Sequence, residues 1–245
     1  MADAAVRLEN VSKAFDGRPV LNQVSFAVAP GEAFCLLGRS GTGKSVTLKL
    51  IIGLLALDDG TVFIDAEELQ KLSRPDLMRV RKKIGFLFQN AALFDSISLA
   101  ENLAFPLRRH LQKSEQEITD IIHNKLAEVG LENDADKMPS DLSGGMRKRA
   151  GLARALVLDP EILLVDEPSS GLDRITAGEI YDLLAKLKAQ KKTLLVVTHD
   201  AVGAKRFADR MGLLDDGRIV ACGTPAELES SKNALARALV GGGNT

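Results

Sequence analysis

Gly38-Arg39-Ser40-Gly41-Thr42-Gly43-Lys44-Ser45 has the spacing of a phosphate-binding loop: a glycine, four residues, then Gly-Lys-Ser. Successive backbone N–H groups in such a loop form a concave anion site, and its glycines let the backbone approach closely. The loop follows the apolar run Ala33–Leu37 and opens a helical pattern, so a helix N-terminus adds donors and its dipole. Lys44 is then expected to reach the terminal phosphates of a nucleotide, and Ser45 to ligate Mg²⁺. A second run, Ile162-Leu163-Leu164-Val165-Asp166-Glu167, reads as an apolar strand ending in two adjacent carboxylates. Alternation along a strand sends neighbours in opposite directions, which allows the two acids different tasks. Asp166 suits a Mg²⁺ partner acting through water, and Glu167 a general base or water-positioning group. Taken alone, the pair also fits a strand that exits into a solvated acidic turn.

Leu142-Ser143-Gly144-Gly145-Met146 precedes a stretch rich in Arg and Lys, Met146–Leu158, with helical spacing. A serine and two glycines at a helix start offer donors to an anion, as the first loop does. One nucleotide does not need two anion loops. Two copies of the chain arranged head-to-tail resolve this, each lending its second loop to the other's site.

With that pairing the sequence resembles the ATP-binding subunit of ABC transporters, over about residues 5–228. The resemblance implies an α/β fold with a P-loop NTPase (RecA-like) core, an N-terminal antiparallel β flap and an inserted helical subdomain. It implies one domain over residues 1–228, with core segments at about 1–89 and 160–228, a helical subdomain at about 90–159, and a tail at 229–245. ATP and Mg²⁺ are the implied ligands, with hydrolysis resting on Lys44, Gln89, Glu167 and His199. Nucleotide contacts fall to Gly38, Arg39, Ser40, Gly41, Thr42, Gly43, Lys44, Ser45 and Val46, and metal contacts to Ser45, Gln89 and Asp166.

The other family positions follow in order. Phe15 stands where an aromatic stacks on adenine, and Ser143, Gly144 and Gly145 where the signature loop touches the γ-phosphate held by the opposite subunit. Gln89, after Ile84–Phe88, matches the residue that senses Mg²⁺ and the membrane partner. Asp173, in Ser170-Gly171-Leu172-Asp173, matches the loop that communicates across the dimer. His199, after Leu194–Thr198, matches a switch that touches the γ-phosphate. Read singly, Phe15 also fits a core aromatic, Gln89 a solvated loop residue and His199 a cap beside Thr198 and Asp200. His110 and His123 read as surface positions on helices.

A finer resemblance is to the ATPases of Mla/Mce-type lipid transporters. Residues 90–96, 101–107, Met146-Arg147-Lys148-Arg149 and Ile175-Thr176 carry it. Gly171 and Arg174 depart from the family's usual Ala and Pro, and Met146 replaces the usual Gln, exchanging an amide for packing. The resemblance implies a second copy of the chain and a separate multi-span permease as partners. The permease would dock near Gln89 and along Leu93–Pro106, an apolar and Phe-rich stretch, unless Phe94 and Phe105 are core residues of the helical lobe. Small accessory and lipid-binding subunits are implied too, with the chain peripheral on the cytoplasmic side of the inner membrane. Alternatives are the ATPase of a transporter for another small solute, a non-transport ABC ATPase, or a regulatory nucleotide-binding module. The ribosomal kind usually carries two cassettes and the DNA kind a long coiled coil, neither of which this chain has. Glu167 and His199 speak against a module without turnover.

Elements that alternate between β and helical patterns must position these residues, which suggests a mainly parallel sheet. Val6–Leu8 and Val24–Val28 read as strands joined through the turn-prone Asp16-Gly17-Arg18-Pro19, and Ala33–Leu37 as a third strand. A helix is expected from Lys44, with Val46, Leu48, Leu50, Ile51 and Leu54–Leu55 as its apolar stripe. Further strands are expected at Thr61–Ile64, Ile84–Phe88, Ile162–Val165, Leu194–Thr198, Arg210–Leu214 and Arg218–Cys222. From Leu99 to Asp159 no strand is read, and Glu115–Val129 and Met146–Leu158 have helical spacing. One or two short helices follow Thr224, before a glycine-rich end expected to fray.

The whole is an ordinary globular composition: 245 residues, 45% hydrophobic, 27% charged, net charge −1. Such a balance speaks against an electrostatically driven nucleic-acid binder. Leu48–Leu57 is the longest apolar stretch, and it is interrupted and far short of the ~18 residues of a membrane span. No secretory leader pattern opens the chain. Cys35 and Cys222 are expected as buried, reduced thiols, which fits an intracellular protein.

Overall fold

The computed structural model describes residues 4–241, which form two sheets and nine α-helices. β1 (Val6–Phe15) and β2 (Arg18–Val28) form a hairpin. Asp16 and Gly17 turn it with φ of 50° and 75°, the left-handed pair that a two-residue hairpin loop requires. β3 (Ala33–Leu37) leads into α1 (Lys44–Ile51). β4 (Asp59–Ile64) returns to pair with β1, and β5 (Glu67–Glu68) closes a four-stranded antiparallel sheet in the order β2-β1-β4-β5. The flap is therefore larger than the hairpin alone, since β4 joins it and not the parallel sheet.

α2 (Arg74–Lys82) precedes β6 (Ile84–Leu87). Between β6 and β7 (Ile162–Asp166) the chain is helical: α3 (Leu99–His110), α4 (Glu115–Glu128) and α5 (Gly144–Leu156). α6 (Arg174–Ala189), β8 (Thr193–Thr198), α7 (Ala201–Ala204), β9 (Arg210–Asp215) and β10 (Arg218–Gly223) complete the second sheet. Its order is β10-β9-β3-β8-β7-β6, parallel except for β10 at the edge. α8 (Pro225–Glu229) and α9 (Ala234–Gly241) follow, and residues 242–245, expected to fray, lie outside the described residues.

Every residue of β3, β7 and β8 is buried, because helices or the flap cover both faces of the sheet. One face packs Phe34, Leu36, Leu164 and Val197 against Leu48 and Ile51 of α1 and Val6 and Leu8 of the flap. The other packs Cys35, Leu163 and Val196 against Tyr181 and Leu184 of α6 and Val240 of α9. The α3–α5 lobe has its own core of Leu99, Leu103, Leu107, Ile118, Ile122 and Ala153. α4 is fixed at its start by a capping box between Ser114 and Glu117, whose bonds hold the Glu117 carboxyl down at about 2.

Cys35 is buried as expected, but Cys222 is exposed. β10 is an edge strand with one open face, so alternate residues turn to solvent. His123 is exposed, and His110 is half-buried with its pKa lowered by burial and by Lys82 and Arg109.

α7 packs so closely on α6 that a Cβ at Gly203 would lie 2.0 Å from Tyr181 Cε2. Gly203→Ala is expected to cost about 1–3 kcal/mol by overpacking, a fall of roughly 2–12 °C in Tm at this chain length. Thermal melts followed by circular dichroism check this, and an unchanged Tm would contradict it.

Candidate active site

Three neighbouring strands, β3, β8 and β7, end on the same side of the parallel sheet and deliver the site from the loops that follow them. Ligands of open α/β sheets bind at such carboxyl ends. The loop after β3 holds Gly41 and Gly43 at φ of 83° and 102°, a region open to glycine and strained for other residues. A Cβ at Gly43 would also meet Leu21 Cδ2 at 2.8 Å. No side chain caps the start of α1, which leaves its first N–H groups for an anion. Lys44 Nζ folds back over the loop, donating to the carbonyls of Gly38 at 2.8 Å and Arg39 at 2.9 Å. Thr42 Oγ1 donates to the same Arg39 carbonyl.

The two acids at the end of β7 have different partners. Asp166 is buried, and its Oδ1 accepts from Ser45 Oγ at 2.7 Å. Burial raises its pKa, and the Ser45 hydrogen bond opposes that. Glu167 Oε1 lies 3.0 Å from Lys44 Nζ, and Oε2 lies 2.8 Å from His199 Nδ1. Strand alternation stops short of Glu167, because its φ is 44°. That left-handed turn brings both acids to the phosphate loop, one through Ser45 and one through Lys44. Such a conformation costs a non-glycine residue roughly 1–3 kcal/mol. Three backbone contacts hold it: Glu167 N–H donates to Val197 O, and Glu167 O accepts from Ser170 N–H and Lys148 Nζ.

A cavity of about 410 Å³ opens at this point. Phe15, Ser40, Gly41, Gly43, Lys44, Ser45, Val46, Gln89, Glu167 and His199 line it, together with Val20 and Ser170. Phe15 is 41% exposed at the tip of the hairpin, with the Lys13 ammonium 5.3 Å from its ring. Gln89 Nε2 donates to Ser170 Oγ at 3.2 Å. Val20 has no signal in the sequence, and Ser170 and Lys148 stand there only within longer motifs, with no role of their own. Burial and contact, not local pattern, single them out.

Ser143, Gly144 and Gly145 do not line this cavity. Ser143 caps α5 through Met146 N–H, and both Ser143 and Gly144 are exposed. A Cβ at Gly145 would lie 2.2 Å from Thr176 Cγ2, so α5 sits against the start of α6. There Asp173 accepts from the N–H groups of Ile175 and Thr176 and from Thr176 Oγ1, bonds that hold its pKa down.

Ser45 and Asp166 are hard oxygen donors of the kind that Mg²⁺ takes. Among the described residues no cluster of three or more His, Cys, Asp or Glu could hold a metal unaided.

A separate groove of about 340 Å³ lies beside β6, lined by Phe86, Phe88, Phe94, Phe105, Pro106, Lys82 and Arg154 among others. Phe94 and Phe105 are 47% and 52% exposed and meet edge to face, so they are not core of the lobe. Asn102, fully buried, fixes the segment by accepting from Phe94 N–H and donating to Phe94 O. Arg154 bonds the carbonyls of Ala91 and Ala92, both left-handed at φ of 57° and 53°.

A glycine loop, a lysine folded over it, a serine–carboxylate pair and a Glu–His pair at the ends of parallel strands define a nucleoside triphosphatase. The chain belongs to the ABC transporter family, whose pattern matches residues 21–170. It is 44% identical over 239 residues to the "Probable ribonucleotide transport ATP-binding protein mkl" of Mycobacterium tuberculosis, covering 97% of this chain and 67% of that one. It is 38% identical over 229 residues to the "Intermembrane phospholipid transport system ATP-binding protein MlaF" of Haemophilus influenzae, covering 93% and 87%. The dimeric post-hydrolysis structure of the ATP-binding cassette MJ0796 bound to ADP and Pi superposes with a TM-score of 0.83 at 34% identity, over 89% of this chain and 98% of that one. The expected fold is borne out. The chain is an ATPase of the ABC type, with hydrolysis coupled to transport.

Above its ordinary pKa of 3.8 the buried Asp166 carries the cost of a desolvated charge, which fades as pH falls through its raised folded value. Asp166→Asn is therefore expected to raise the Tm of the nucleotide-free chain at pH 7, by an amount that shrinks toward pH 4. Melts across that range test the sign, and a variant less stable than wild type at pH 7 would contradict it.

Proposed function

We propose that the chain is the ATP-hydrolysing subunit of a transporter that moves phospholipid across or between membranes through a separate permease. The observation that carries the hydrolytic part is the Glu167 carboxylate, divided between Lys44 and His199 beside the cavity. Phosphoryl transfer is mainly positioning and charge stabilisation. Lys44 and the loop N–H groups hold the β- and γ-phosphates, and Phe15 receives adenine at the open end of the cavity. Glu167 orients or deprotonates the attacking water, and His199 sits beside it to meet the γ-phosphate. Mg²⁺, held by Ser45 and Asp166, supplies charge neutralisation on the phosphates when bound.

Ser143 and Gly144 are exposed, and neither they nor Gly145 line their own chain's cavity, which supports a head-to-tail pair of chains in which each completes the other's site. The dimeric cassette with 34% identity supports the same assembly. Among the described residues no helix is long and apolar enough to cross a membrane, so the permease is a further partner. The Phe94–Phe105 groove beside Gln89 is the docking surface we assign to it, with the chain on the cytoplasmic side of the inner membrane. Small accessory and lipid-binding subunits complete the assembly.

The phospholipid cargo rests on the MlaF relatives, 37–38% identical over 93–97% of this chain. A second reading, ribonucleotide cargo, is favoured by the name of the 44% identical relative. Purifying the complex through a tag on this chain and reconstituting it in vesicles separates them. ATP-dependent transfer of a fluorescent phospholipid, without uptake of labelled ribonucleotide, is the expected result; the reverse would overturn the lipid reading. Glu167→Gln should lower turnover by about 10²–10⁴-fold while ATP binding persists, as measured by phosphate release and nucleotide titration. Lys44→Ala should weaken ATP binding itself, and unchanged affinity would remove its phosphate role.

A further inference from the structure

α5 does two things at once. Its first residues present the exposed anion loop, while Lys148, five residues after Ser143, points inward and is 5% exposed. Lys148 Nζ donates to the carbonyl of Glu167 at 2.9 Å. It forms no ion pair among the described residues, although burying an unpaired ammonium is costly. Burial pushes its pKa down, and the Asp166 and Glu167 carboxylates act in the opposite sense. The acceptor is the carbonyl of the one site residue outside the phosphate loop that is held left-handed, at φ of 44°.

From this geometry we infer that Lys148 is a positioning residue for Glu167, fastening the anion-loop helix of each chain to that chain's own water-facing carboxylate. The inference rests on the role given above to Glu167. Ser170 N–H accompanies Lys148 at the same carbonyl, but at 3.2 Å and from a turn only three residues along the chain, whereas Lys148 reaches it from the helix α5. Lys148 also borders a cavity of about 340 Å³ with Gln89, Gly144, Ser170 and Leu172, so it lies where both anion-loop helix and Gln89 loop converge. Without the ammonium, the Glu167 carbonyl keeps only the Ser170 N–H, and one of the three contacts that hold the left-handed backbone is lost. The carboxylate then turns away from Lys44 and His199. In a head-to-tail pair, α5 touches the partner's nucleotide at one end and holds its own glutamate four to five residues further on. Closure over one nucleotide is thereby transmitted to the other site through a single helix.

The test uses the assembled transporter, purified through a tag on the full chain, with phosphate release measured across ATP concentrations. Lys148→Met keeps the stem and removes the donor; Lys148→Arg keeps a cation that can reach the carbonyl. Lys148→Met is expected to lower kcat by about 10–100-fold, the scale of a small misplacement at a reacting centre, with KM for ATP within about threefold. Lys148→Arg should recover most of that loss, and the Tm of Lys148→Met should equal or exceed that of wild type, since an apolar stem replaces a buried charge. Glu167→Gln runs beside them. An inactive Glu167→Gln with Lys148→Met within twofold of wild type overturns the positioning role alone. Full turnover by Glu167→Gln overturns the role of Glu167 and this inference with it. A loss in Lys148→Met that follows a fall in Tm, and that Arg does not restore, also overturns it.

Discussion

One carboxylate with two partners sets the demand that the rest of the fold meets. Glu167 must reach an ammonium with one oxygen and an imidazole with the other, and the three groups follow three different strands. Only a sheet in strict register brings them together. β3 and β8 align Leu37 with Thr198, and β7 and β8 align Asp166 with Val197, so each functional residue leaves its strand at nearly the same level. A slip of one residue would invert the faces of a strand and break the trio. The completely buried strands have a use beyond supplying the core. Packed on both sides, they resist sliding, and register in the core becomes distance in the site.

Much of that was legible in the residues. Ala33–Leu37, Ile162–Val165 and Leu194–Thr198 are continuous apolar runs that end in chemistry-bearing groups, and the structure gives strands at the same places. The phosphate loop carries its own punctuation in glycines, and two of them hold the left-handed conformations that the spacing requires. Less legible was anything that depends on a third dimension. β4 has an ordinary strand pattern, and nothing local tells that it pairs with β1 in the flap. Glu167 departs from strand alternation although its neighbours obey it, because Val197, Ser170 and Lys148 hold its backbone from 30, 3 and 19 residues away. Lys148 looks like any basic residue of an amphipathic helix until the fold buries it. Cys222 shows the converse: an apolar setting in sequence becomes an open edge in space.

The lobe of α3, α4 and α5 has a core of its own, and it is braced within itself and against α6 at chosen points. Arg154 grips two left-handed alanines just after Gln89, Asn102 holds both backbone groups of Phe94, and Gly145 abuts Thr176. These are polar or steric contacts with fixed geometry. Apolar contact alone would allow these segments to creep past one another, whereas directional bonds define where they sit. The exposed Phe94–Phe105 pair is thus presented from a braced segment, and Gln89 lies at the other end of the same brace.

The cavity also has two suppliers. Phe15 and Val20 enter it from the antiparallel flap, while Lys44, Glu167 and His199 all come from loops of the parallel sheet. The apolar wall and the charged wall are therefore encoded by separate stretches of chain, folded into separate sheets. They meet where Val20 and Leu21 of the flap pack on Gly43 of the phosphate loop. If adenine lies against Phe15 as proposed, affinity for the base can be retuned, by selection or by an engineer, in a sheet that supplies neither Lys44, Glu167 nor His199.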